Sequence, residues 1–476
     1  MLQFYLGLFY SEGIGVLKDI EHAVYWYQKA AEQGYIEAYT SLGDLYFNGP
    51  KNSLCDENAL SCYEKAKYWY ELGLKHELKG AQLGLGSMYL DGLGVPKELS
   101  SAIHWLAKAA NQNSVGAQVA LGFVYSRDKY KNKDLIKAIH WFECAAKQNN
   151  VNGQFELASL LRKISGKERN EKKAIYWLEE AIKHDHLGAY IDLAFMLRNG
   201  IGTDKDPERA FKLYSKAADI GSDIAKYSLG QMYLKGEGVE QNYGLAAYWY
   251  EKAAAQEHLI AQLNLGLLYI EGQGVKQNFE QAFTLLKGAS VKGSNEARNN
   301  LGYMYQHGIG IELDISKALY WYEKSAKEGN SEAEYRLANI YRQKTHKFHS
   351  YSKALELYKN ASNKGHVGAT TNWGLMFFTG DGVSQDYKKA FELLSASAHD
   401  DDLNAQFALA EMYKNGYGTD KDYTAAIKWY VAAAESGNVN ALKGLAFMFQ
   451  HGLGVEKNID KATELYKMAY EKRALD

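Results

Sequence analysis

Apolar and small residues recur along this chain in a five-residue pattern, typified by Leu-Gly-x-x-Tyr. Successive copies start 36 residues apart, except for one interval of 43 residues between the second and third copies. The second position is always Gly or Ala, and the fifth is Tyr in nine copies, Phe in two and Leu in two. Such a fixed period is typical of a repeat protein. The copies begin at Leu6, Leu42, Leu85, Leu121, Leu157, Leu193, Leu229, Leu265, Leu301, Leu337, Trp373, Leu409 and Leu445.

A second pattern recurs with the same period. In each copy an alanine follows, and the residue three positions after it is Trp or Leu, as in Ala246 and Trp249. Eight of the nine Trp residues occupy this one position. Nine copies carry Gly-x-Gly between the two patterns, as at Gly236 and Gly238. Because a Gly just past a helix can adopt the left-handed conformation, Gly-x-Gly predicts a turn between two helices.

The spacing within each pattern predicts the helices themselves. Ala225, Leu229 and Tyr233 step by four residues and so share one face of a first helix, helix A. The alanine pattern predicts a second helix, helix B. Its first turn is preceded by residues that can cap it, among them Asp19, Asn242, Asn278, Asp314 and Asn458. Neither helix can bury its apolar face alone, so about thirteen two-helix repeats are expected to stack as one continuous all-α solenoid over residues 1–476.

Four stretches depart from the period. An insertion of seven residues falls within 50–63, and it contains Cys55 and Cys62. The loops at 126–134, 162–173 and 342–353 lack Gly-x-Gly and are rich in Lys and Arg. Insertions in a solenoid are tolerated, and they can also form a binding face. The basic loops are either solvated or form a ridge that attracts an acidic partner or phosphate.

Composition narrows the class of partner. The formal net charge is −2 and the pI is about 6.7, which predicts no general attraction for nucleic acid or acidic membranes. The chain has no apolar run long enough to span a membrane. Three cysteines do not make a disulfide framework, which suits a reducing compartment or an indifferent one.

The N-terminal sequence bears on location and on assembly. It lacks a basic region followed by a cleavage site, which predicts a cytoplasmic protein. A processed or truncated chain would look the same, so a secreted or periplasmic location stays open. The first helix offers Leu2, Phe4, Tyr5, Leu6 and Phe9, although terminal repeats normally present a polar face. We therefore expect either missing upstream residues or end-to-end self-association through this helix.

The repeat unit resembles the Sel-one-like repeat family, which is related to tetratricopeptide repeats but has longer, glycine-marked loops. The segments AKYSLGQMYLKGEGV (225–239) and AAYWYEKAA (246–254) form a nearly ideal copy, and the resemblance covers essentially the whole chain. It implies a right-handed α/α superhelix that serves as an adaptor for protein complexes. Bacterial signalling and host interaction are among the settings that it implies.

The same resemblance raises an enzymatic alternative. One branch of the family is rich in cysteines, with one disulfide per repeat, and is linked to penicillin binding and hydrolysis. Here Cys144 lies in the corresponding region of helix B, but no partner cysteine stands at the start of the next helix. A non-catalytic protein-binding scaffold is therefore the main prediction, and β-lactam or peptidoglycan chemistry is the alternative.

A partner-binding surface is predicted on helix A. If helix A lines the concave side, as in tetratricopeptide proteins, its inner positions lie two before, two after and five after the first residue of the pattern. These positions are rich in aromatics and Arg, the residue types that concentrate binding energy at interfaces. A peptide could lie along them, with its carboxylates on the basic groups. The alternative is that the aromatics only fill space between successive A helices. The predicted residues are Phe123, Phe155, Arg162, Phe195, Arg198, Tyr227, Tyr303, Tyr335, Arg342, Phe407 and Phe447.

Motifs for chemistry are weak. Ser-x-x-Lys occurs at Ser126 and Ser350, about as often as chance allows, without the companion motifs of penicillin-binding proteins. The pairs His184/His186 and His346/His349 lack the spacing and acidic partners of a zinc site. We therefore predict no catalytic residue, no metal site and no cofactor.

Overall fold

The computed structural model describes residues 1–49, 54, 59–130, 133–164 and 170–473. Over these residues the chain is all-α, with 26 α-helices and a short 3₁₀ turn at Asp128–Tyr130. Contacts divide it into two compact units, residues 1–242 (unit 1) and 243–476 (unit 2). The predicted continuity of one solenoid over 1–476 stays a prediction.

Unit 1 contains thirteen helices, in which odd numbers are A helices and even numbers are B helices. They are α1 (Leu2–Glu12), α2 (Ile20–Glu32), α3 (Glu37–Phe47), α4 (Ala59–Leu74), α5 (Lys79–Asp91), α6 (Leu99–Asn111), α7 (Val115–Ser126), α8 (Leu135–Lys147), α9 (Val151–Lys163), α10 (Glu171–Ile182), α11 (Leu187–Asn199), α12 (Pro207–Asp219) and α13 (Asp223–Lys235).

Unit 2 begins with the B helix of the seventh repeat and continues the same alternation. Its helices are α14 (Tyr243–Ala254), α15 (Leu259–Glu271), α16 (Phe279–Val291), α17 (Asn295–His307), α18 (Ile315–Lys327), α19 (Ser331–Arg342), α20 (Tyr351–Asn363), α21 (Val367–Thr379), α22 (Tyr387–His399), α23 (Leu403–Asn415), α24 (Tyr423–Glu435), α25 (Val439–His451) and α26 (Ile459–Arg473).

The helix ends follow the predicted chemistry. Asp19 caps α2 by accepting a hydrogen bond from the His22 amide at 2.9 Å, and Asn278 and Asp314 cap α16 and α18 in the same way. Gly236, which ends α13, has a φ of 68°, and Gly238 has a φ of 71°. A Cβ on Gly238 would also lie 2.4 Å from the carbonyl carbon of Pro207. Both glycines of the turn are therefore required, one by conformation alone and one also by close packing.

Each unit has its core between the A and B helices. Leu229, Ala225 and Ala246 are fully buried. The small second position of the A pattern faces a buried ring of helix B: a Cβ on Gly302 would lie 2.6 Å from Cδ1 of Tyr322. This confirms that Gly or Ala there permits close approach of the two helices. Each buried core leucine contributes ~1.5–3 kcal/mol of hydrophobic stabilisation.

Within each unit, A helices lie on the more crowded side. Helix A packs on helix B of its own repeat and on helix B of the preceding repeat. Successive A helices also contact each other in several places, including α9 with α11 and α21 with α23. Within each unit, no two successive B helices among the described residues approach as closely. The surface of helix A is thus the inner surface of each unit, where the predicted binding residues lie.

The irregular segments are described in part. Most of the insertion at 50–63, including Cys55, lies outside the described residues, whereas Cys62 is buried on α4. Residues 131–132 and 165–169 of two basic loops also lie outside them. Lys133 pairs with Asp128 at 2.9 Å, and Lys344 with Asp381 at 3.4 Å. These own-chain partners favour solvated loops over a free basic ridge.

Among the described residues, no helix combines the length and the apolar character needed to cross a membrane. The first helix does expose apolar side chains, as predicted: Leu2 is 76% and Phe9 39% exposed. Phe4, however, packs against Tyr27 and Tyr35 within the first repeats. Self-association through α1 stays a prediction.

Candidate functional site

The eleven predicted binding residues all lie on A helices, and we call the surface that they share the helix-A stripe. Phe123, Phe155, Arg162, Phe195, Arg198 and Tyr227 belong to unit 1, whereas Tyr303, Tyr335, Arg342, Phe407 and Phe447 belong to unit 2. Within each unit, successive A helices bring these residues into one row. The structure separates them into three groups by burial and partners.

Aromatics two positions after the start of the pattern are largely open to solvent. Phe195, Tyr303 and Phe447 are 43%, 38% and 40% exposed. Phe123 differs, because it packs edge-on against Phe142 and lies under the Arg127 guanidinium, 4.0 Å from its ring centroid. Exposed rings of this kind offer large, rigid contact area to a partner at a low cost in side-chain entropy.

Aromatics two positions before the start of the pattern are occupied by contacts within the chain, and two of them pack against the following repeat. The ring of Phe155 lies 4.4 Å from that of His186, and Tyr335 stacks on His366 at 4.5 Å. Phe407 contacts Tyr430, and the Tyr227 hydroxyl accepts a hydrogen bond from Gln231. These four side chains are half-buried. The space-filling alternative therefore describes this group better than it describes the exposed rings.

The three arginines differ in how fully they are paired. Arg162 donates to Asp192 at 3.0 Å, and Arg198 pairs with Glu237 and Gln231. Arg342 donates one longer hydrogen bond to the Asn372 side chain at 3.3 Å and lies 3.9 Å from Asp381. A guanidinium has five N–H donors, so Arg342 keeps most of them for water or a ligand.

A depression of about 460 Å³ opens beside Arg342 in unit 2. It is lined by Gln306, Asn339, Arg342, Gln343 and Tyr358. The Tyr358 hydroxyl donates to Oδ1 of Asn339 at 2.6 Å, and burial raises the pKa of Tyr358 to about 12. The phenol is thus a neutral, fixed member of a wall of amide groups. Amides and a guanidinium together suit a peptide backbone or a carboxylate.

Helices α17 and α19, which supply part of the lining, are also joined to α21 by side-chain contacts. The Arg336 guanidinium lies 4.9 Å from the ring centroid of exposed Tyr303, and its Nε lies 2.6 Å from Glu332. The other carboxylate oxygen of Glu332 lies 2.9 Å from Nε2 of His366. The hydrogen bond from His366 lowers the pKa of Glu332, although burial opposes the shift. These contacts join α17, α19 and α21, so the exposed ring is held on a rigid support.

The tyrosine that follows the tryptophan position of helix B has a role that the sequence patterns did not predict. In several repeats this tyrosine is buried, and its hydroxyl reaches a polar group on helix A. Tyr70 donates to Asp44 at 2.7 Å, and Tyr322 donates to Gln306 at 2.9 Å. The signal was present in the sequence as Tyr at that position together with Asp, Asn or Gln on helix A. These hydroxyls fix the polar groups of the helix-A stripe from below.

The weak catalytic candidates have structural roles. Oγ of Ser350 caps α20 by accepting from the Lys353 amide, and Oγ of Ser126 donates to the Phe123 carbonyl. Nδ1 of His186 caps α11 by accepting from the Ala189 amide at 3.2 Å. Cys144 lies 3.8 Å from Nε2 of His140, and burial raises the pKa of its thiol. That shift disfavours the thiolate, which is the nucleophilic form.

Comparison with known proteins identifies a repeat in the same thirteen segments of the chain. The family model described as Sel1 repeat matches thirteen times, at residues 1–35, 36–75, 80–114, 115–150, 151–186, 188–222, 223–258, 259–290, 295–330, 331–366, 368–402, 403–438 and 439–473. No curated protein matches the sequence.

Two solved structures are similar over much of the chain. One is a protective antigen of uropathogenic Escherichia coli with an SLR fold, at 28% identity and a TM-score of 0.66, covering 86% of this chain and 90% of that chain. The other is a Sel1 repeat protein from Oxalobacter formigenes, at 30% identity and a TM-score of 0.55, covering 66% of this chain and 90% of that chain.

Proposed function

Because the chain belongs to the Sel1 repeat family, we propose that it is a non-catalytic scaffold that binds a partner protein on the helix-A stripe. The centre of binding is the depression beside Arg342 in unit 2. Repeat proteins of this kind present extended surfaces built from many similar helices. The partner segment is an extended or helical peptide that carries an acidic group next to an apolar side chain.

The observation that carries this proposal is Arg342, which lines the depression, together with the exposed aromatic ring of Tyr303 on the preceding A helix. Arg342 donates a hydrogen bond to the neutral amide of Asn372 at 3.3 Å and lies 3.9 Å from the Asp381 carboxylate. Tyr303 is 38% exposed and braced by Arg336. A guanidinium on one A helix and a fixed aromatic ring on the preceding one can recognise a carboxylate and an apolar group of the same peptide. The amides of Asn339 and Gln343 lie where they can bond the peptide backbone.

Selection from a random peptide library displayed on phage tests the proposal. Peptides retained by the full chain should be enriched in Asp or Glu next to an apolar residue. The same selection on Arg342→Gln should lose the acidic preference, and selection on Tyr303→Ser should lose the apolar preference. Both changes are on the surface, so circular dichroism should show unchanged helicity. Identical peptide preferences for the wild type and both variants would contradict the proposed site.

A further inference from the structure

A lysine of helix B lies over an aromatic ring of helix A in repeat after repeat. The lysine stands one position before the alanine of the B pattern, and the ring is the fifth residue of the A pattern. Such a cation within ~6 Å of a ring centroid is attracted to the face of the ring. The pairs, with the distances from Nζ to ring centroid, are Lys65–Tyr46 (5.4 Å), Lys137–Tyr125 (5.3 Å), Lys317–Tyr305 (5.4 Å), Lys353–Tyr341 (5.0 Å), Lys389–Phe377 (5.6 Å) and Lys461–Phe449 (4.9 Å).

Repeat eight has the ring but not the lysine. Tyr269 occupies the ring position, and the position of the lysine is taken by Gln281. A cleft of about 590 Å³ lies at this place, between α14, α15 and α16. Its apolar lining includes Ala254, Leu265 and Leu285, and Leu285 stands where most repeats have the larger Trp. The missing lysine and the smaller side chain thus coincide with open space beside Tyr269.

Two carboxylates border this cleft. Glu251 comes from α14 and Glu280 from α16, and both side chains are exposed. Neither makes an ion pair with another part of the chain that the structure describes. The nearness of Glu251 is also visible in Tyr269, whose pKa is raised by burial and, secondarily, by that negative charge.

Repeat ten shows the occupied form of the same arrangement. There Lys353 lies over Tyr341, and the Tyr341 hydroxyl donates to Glu323 at 3.2 Å. Glu323 stands at the position of helix B that Glu251 occupies two repeats earlier. Ring, carboxylate and cation are therefore all supplied by the chain in repeat ten. In repeat eight the chain supplies the ring and the carboxylate but not the cation.

Five other repeats also lack the lysine, and repeats three and twelve show how they differ from repeat eight. In repeat three, Ser101 replaces it, and the nearby carboxylate of Glu71 already pairs with Lys67 at 3.6 Å. In repeat twelve, Ala425 replaces it, and the Tyr413 ring packs edge-on against Phe391 at 5.3 Å. The absence of the lysine is therefore not enough by itself to produce a cleft that is bordered by unpaired carboxylates.

We propose that the cleft beside Tyr269 binds a lysine or arginine side chain of a partner protein. The cationic head lies over the Tyr269 ring between Glu251 and Glu280, and the aliphatic stem packs on Leu265 and Leu285. The occupant is identified by the own-chain lysines that fill the equivalent place in other repeats. The cleft is bordered by two B helices, so this site is separate from the helix-A stripe and does not depend on the proposed function.

Binding of a short peptide with a single lysine, Ac-Gly-Gly-Lys-Gly-Gly-NH₂, to the full chain tests the proposal by saturation-transfer NMR. A matched peptide with norleucine in place of lysine removes only the charge. We expect the lysine peptide to bind with a Kd on the order of 1 mM and the norleucine peptide about tenfold more weakly. Equal binding of the two peptides, or no binding of either at ~10 mM, a concentration tenfold above that Kd, would overturn the proposal.

Variants of the chain sharpen the test. Gln281→Lys supplies the own-chain lysine and should abolish peptide binding. Tyr269→Leu should weaken it, and the fold should tolerate this change because Leu161 and Leu197 occupy the same position in repeats five and six. Lys353→Gln should open a second site over Tyr341. Undiminished binding to the folded Gln281→Lys protein would contradict the location.

The source of the cation is tested with n-butylamine, which has the head and stem of lysine but no peptide. Weaker binding than that of the lysine peptide supports a protein side chain as the occupant. Equal or tighter binding of n-butylamine, lost in Gln281→Lys, would assign the cleft to a small amine and overturn the protein partner.

Discussion

Unit 1 and unit 2 use the same position of the helix-A stripe in different ways. Arg162 in unit 1 and Arg342 in unit 2 are equivalent residues, five after the start of the pattern. The residue before the next copy of the pattern is Asp192 in the first case and Asn372 in the second. Arg162 is therefore ion-paired at 3.0 Å, whereas Arg342 bonds a neutral side chain at 3.3 Å and lies 3.9 Å from the Asp381 carboxylate. We therefore propose that the residue at this position, Asp or Asn, decides whether the arginine braces two repeats or is available to a partner.

The largest contrast is expected when the two arginines are replaced. Arg342→Gln should weaken an acidic peptide selected on the wild type by ~100-fold, as for a hot-spot residue, with little change in stability. Arg162→Gln should leave that affinity unchanged but should lower the free energy of unfolding by about 1–2 kcal/mol, because Asp192 loses its charged partner. Calorimetric titration and urea unfolding measure the two effects. Equal loss of affinity in both variants would erase the distinction between the units.

Converting one unit into the other tests the role of the neighbouring residue. Asn372→Asp should pair Arg342 as Arg162 is paired in unit 1, and it should weaken the acidic peptide by about tenfold through competition and repulsion. Asn372→Leu is the matched control, since it removes the hydrogen bond without adding charge. If Asn372→Leu weakened binding as much as Asn372→Asp, the amide itself and not the charge balance would matter.

The reverse conversion gives a smaller effect. Asp192→Asn should release Arg162 beside the exposed ring of Phe195, whose centroid lies 5.7 Å from the guanidinium. Unit 1 should then acquire weak affinity for the same peptide, a few-fold above the wild type. A peptide bearing a nitroxide spin label would locate that binding by NMR line broadening. Binding that stays confined to unit 2 would show that a free arginine is insufficient.

The two units also differ in the surroundings of equivalent histidines. His186 and His366 both cap an A helix, at 3.2 and 3.1 Å, and both stack on an aromatic ring, but only His366 contacts a carboxylate, Glu332. Burial lowers the pKa of His186 below the ordinary value of 6.5. The unfolded chain therefore takes up this proton first. The stabilisation by neutral His186 is complete above pH 6.5 and is lost as the pH falls through the folded pKa.

Protonation of Nδ1 also removes the acceptor of the helix cap. Lowering the pH from about 7 to about 5 should thus destabilise α11 by about 1 kcal/mol or less, the contribution of a cap. Hydrogen exchange of the Ala189 amide, compared in the wild type and in His186→Asn, measures this effect. Asn caps other A helices, as Asn150 does at α9, so the variant should keep its cap at both pH values. The same pH dependence in both proteins would assign it to another group.

The smallest effect concerns the exposed apolar side chains of α1. Leu2 and Phe9 are 76% and 39% exposed, and self-association through them should appear only at high protein concentration. Sedimentation should then show a concentration-dependent increase in mass that Leu2→Lys/Phe9→Lys removes. A monomer at every concentration would rule out association through this helix.

Much of the fold could be predicted from the sequence, because one repeated spacing fixes both helices and the turn between them. The periodicity of Leu229 and its equivalents identified helix A, and Gly236 with Gly238 marked its end. The pairing of the stripe arginines could not be predicted in the same way. It depends on contacts between repeats, such as that of Arg162 with Asp192, whose register becomes visible only when neighbouring A helices are placed side by side.

The functional sites were predictable only in part for a related reason. Aromatics two before and two after the start of the pattern look alike in sequence, yet Phe155 packs against His186 while Phe195 is exposed. The cleft beside Tyr269 is open because repeat eight lacks the helix-B lysine that lies over the equivalent ring in other repeats. Gln281 is meaningful only once lysines are seen over the equivalent rings of other repeats.

Hydrogen–deuterium exchange with and without the selected acidic peptide tests the central claim most directly. We predict slower exchange in α17, α19 and α21, which surround Arg342, with little change in unit 1 and in the B helices. Protection that falls mainly on unit 1, or on the B helices of either unit, would contradict the assignment of the binding surface.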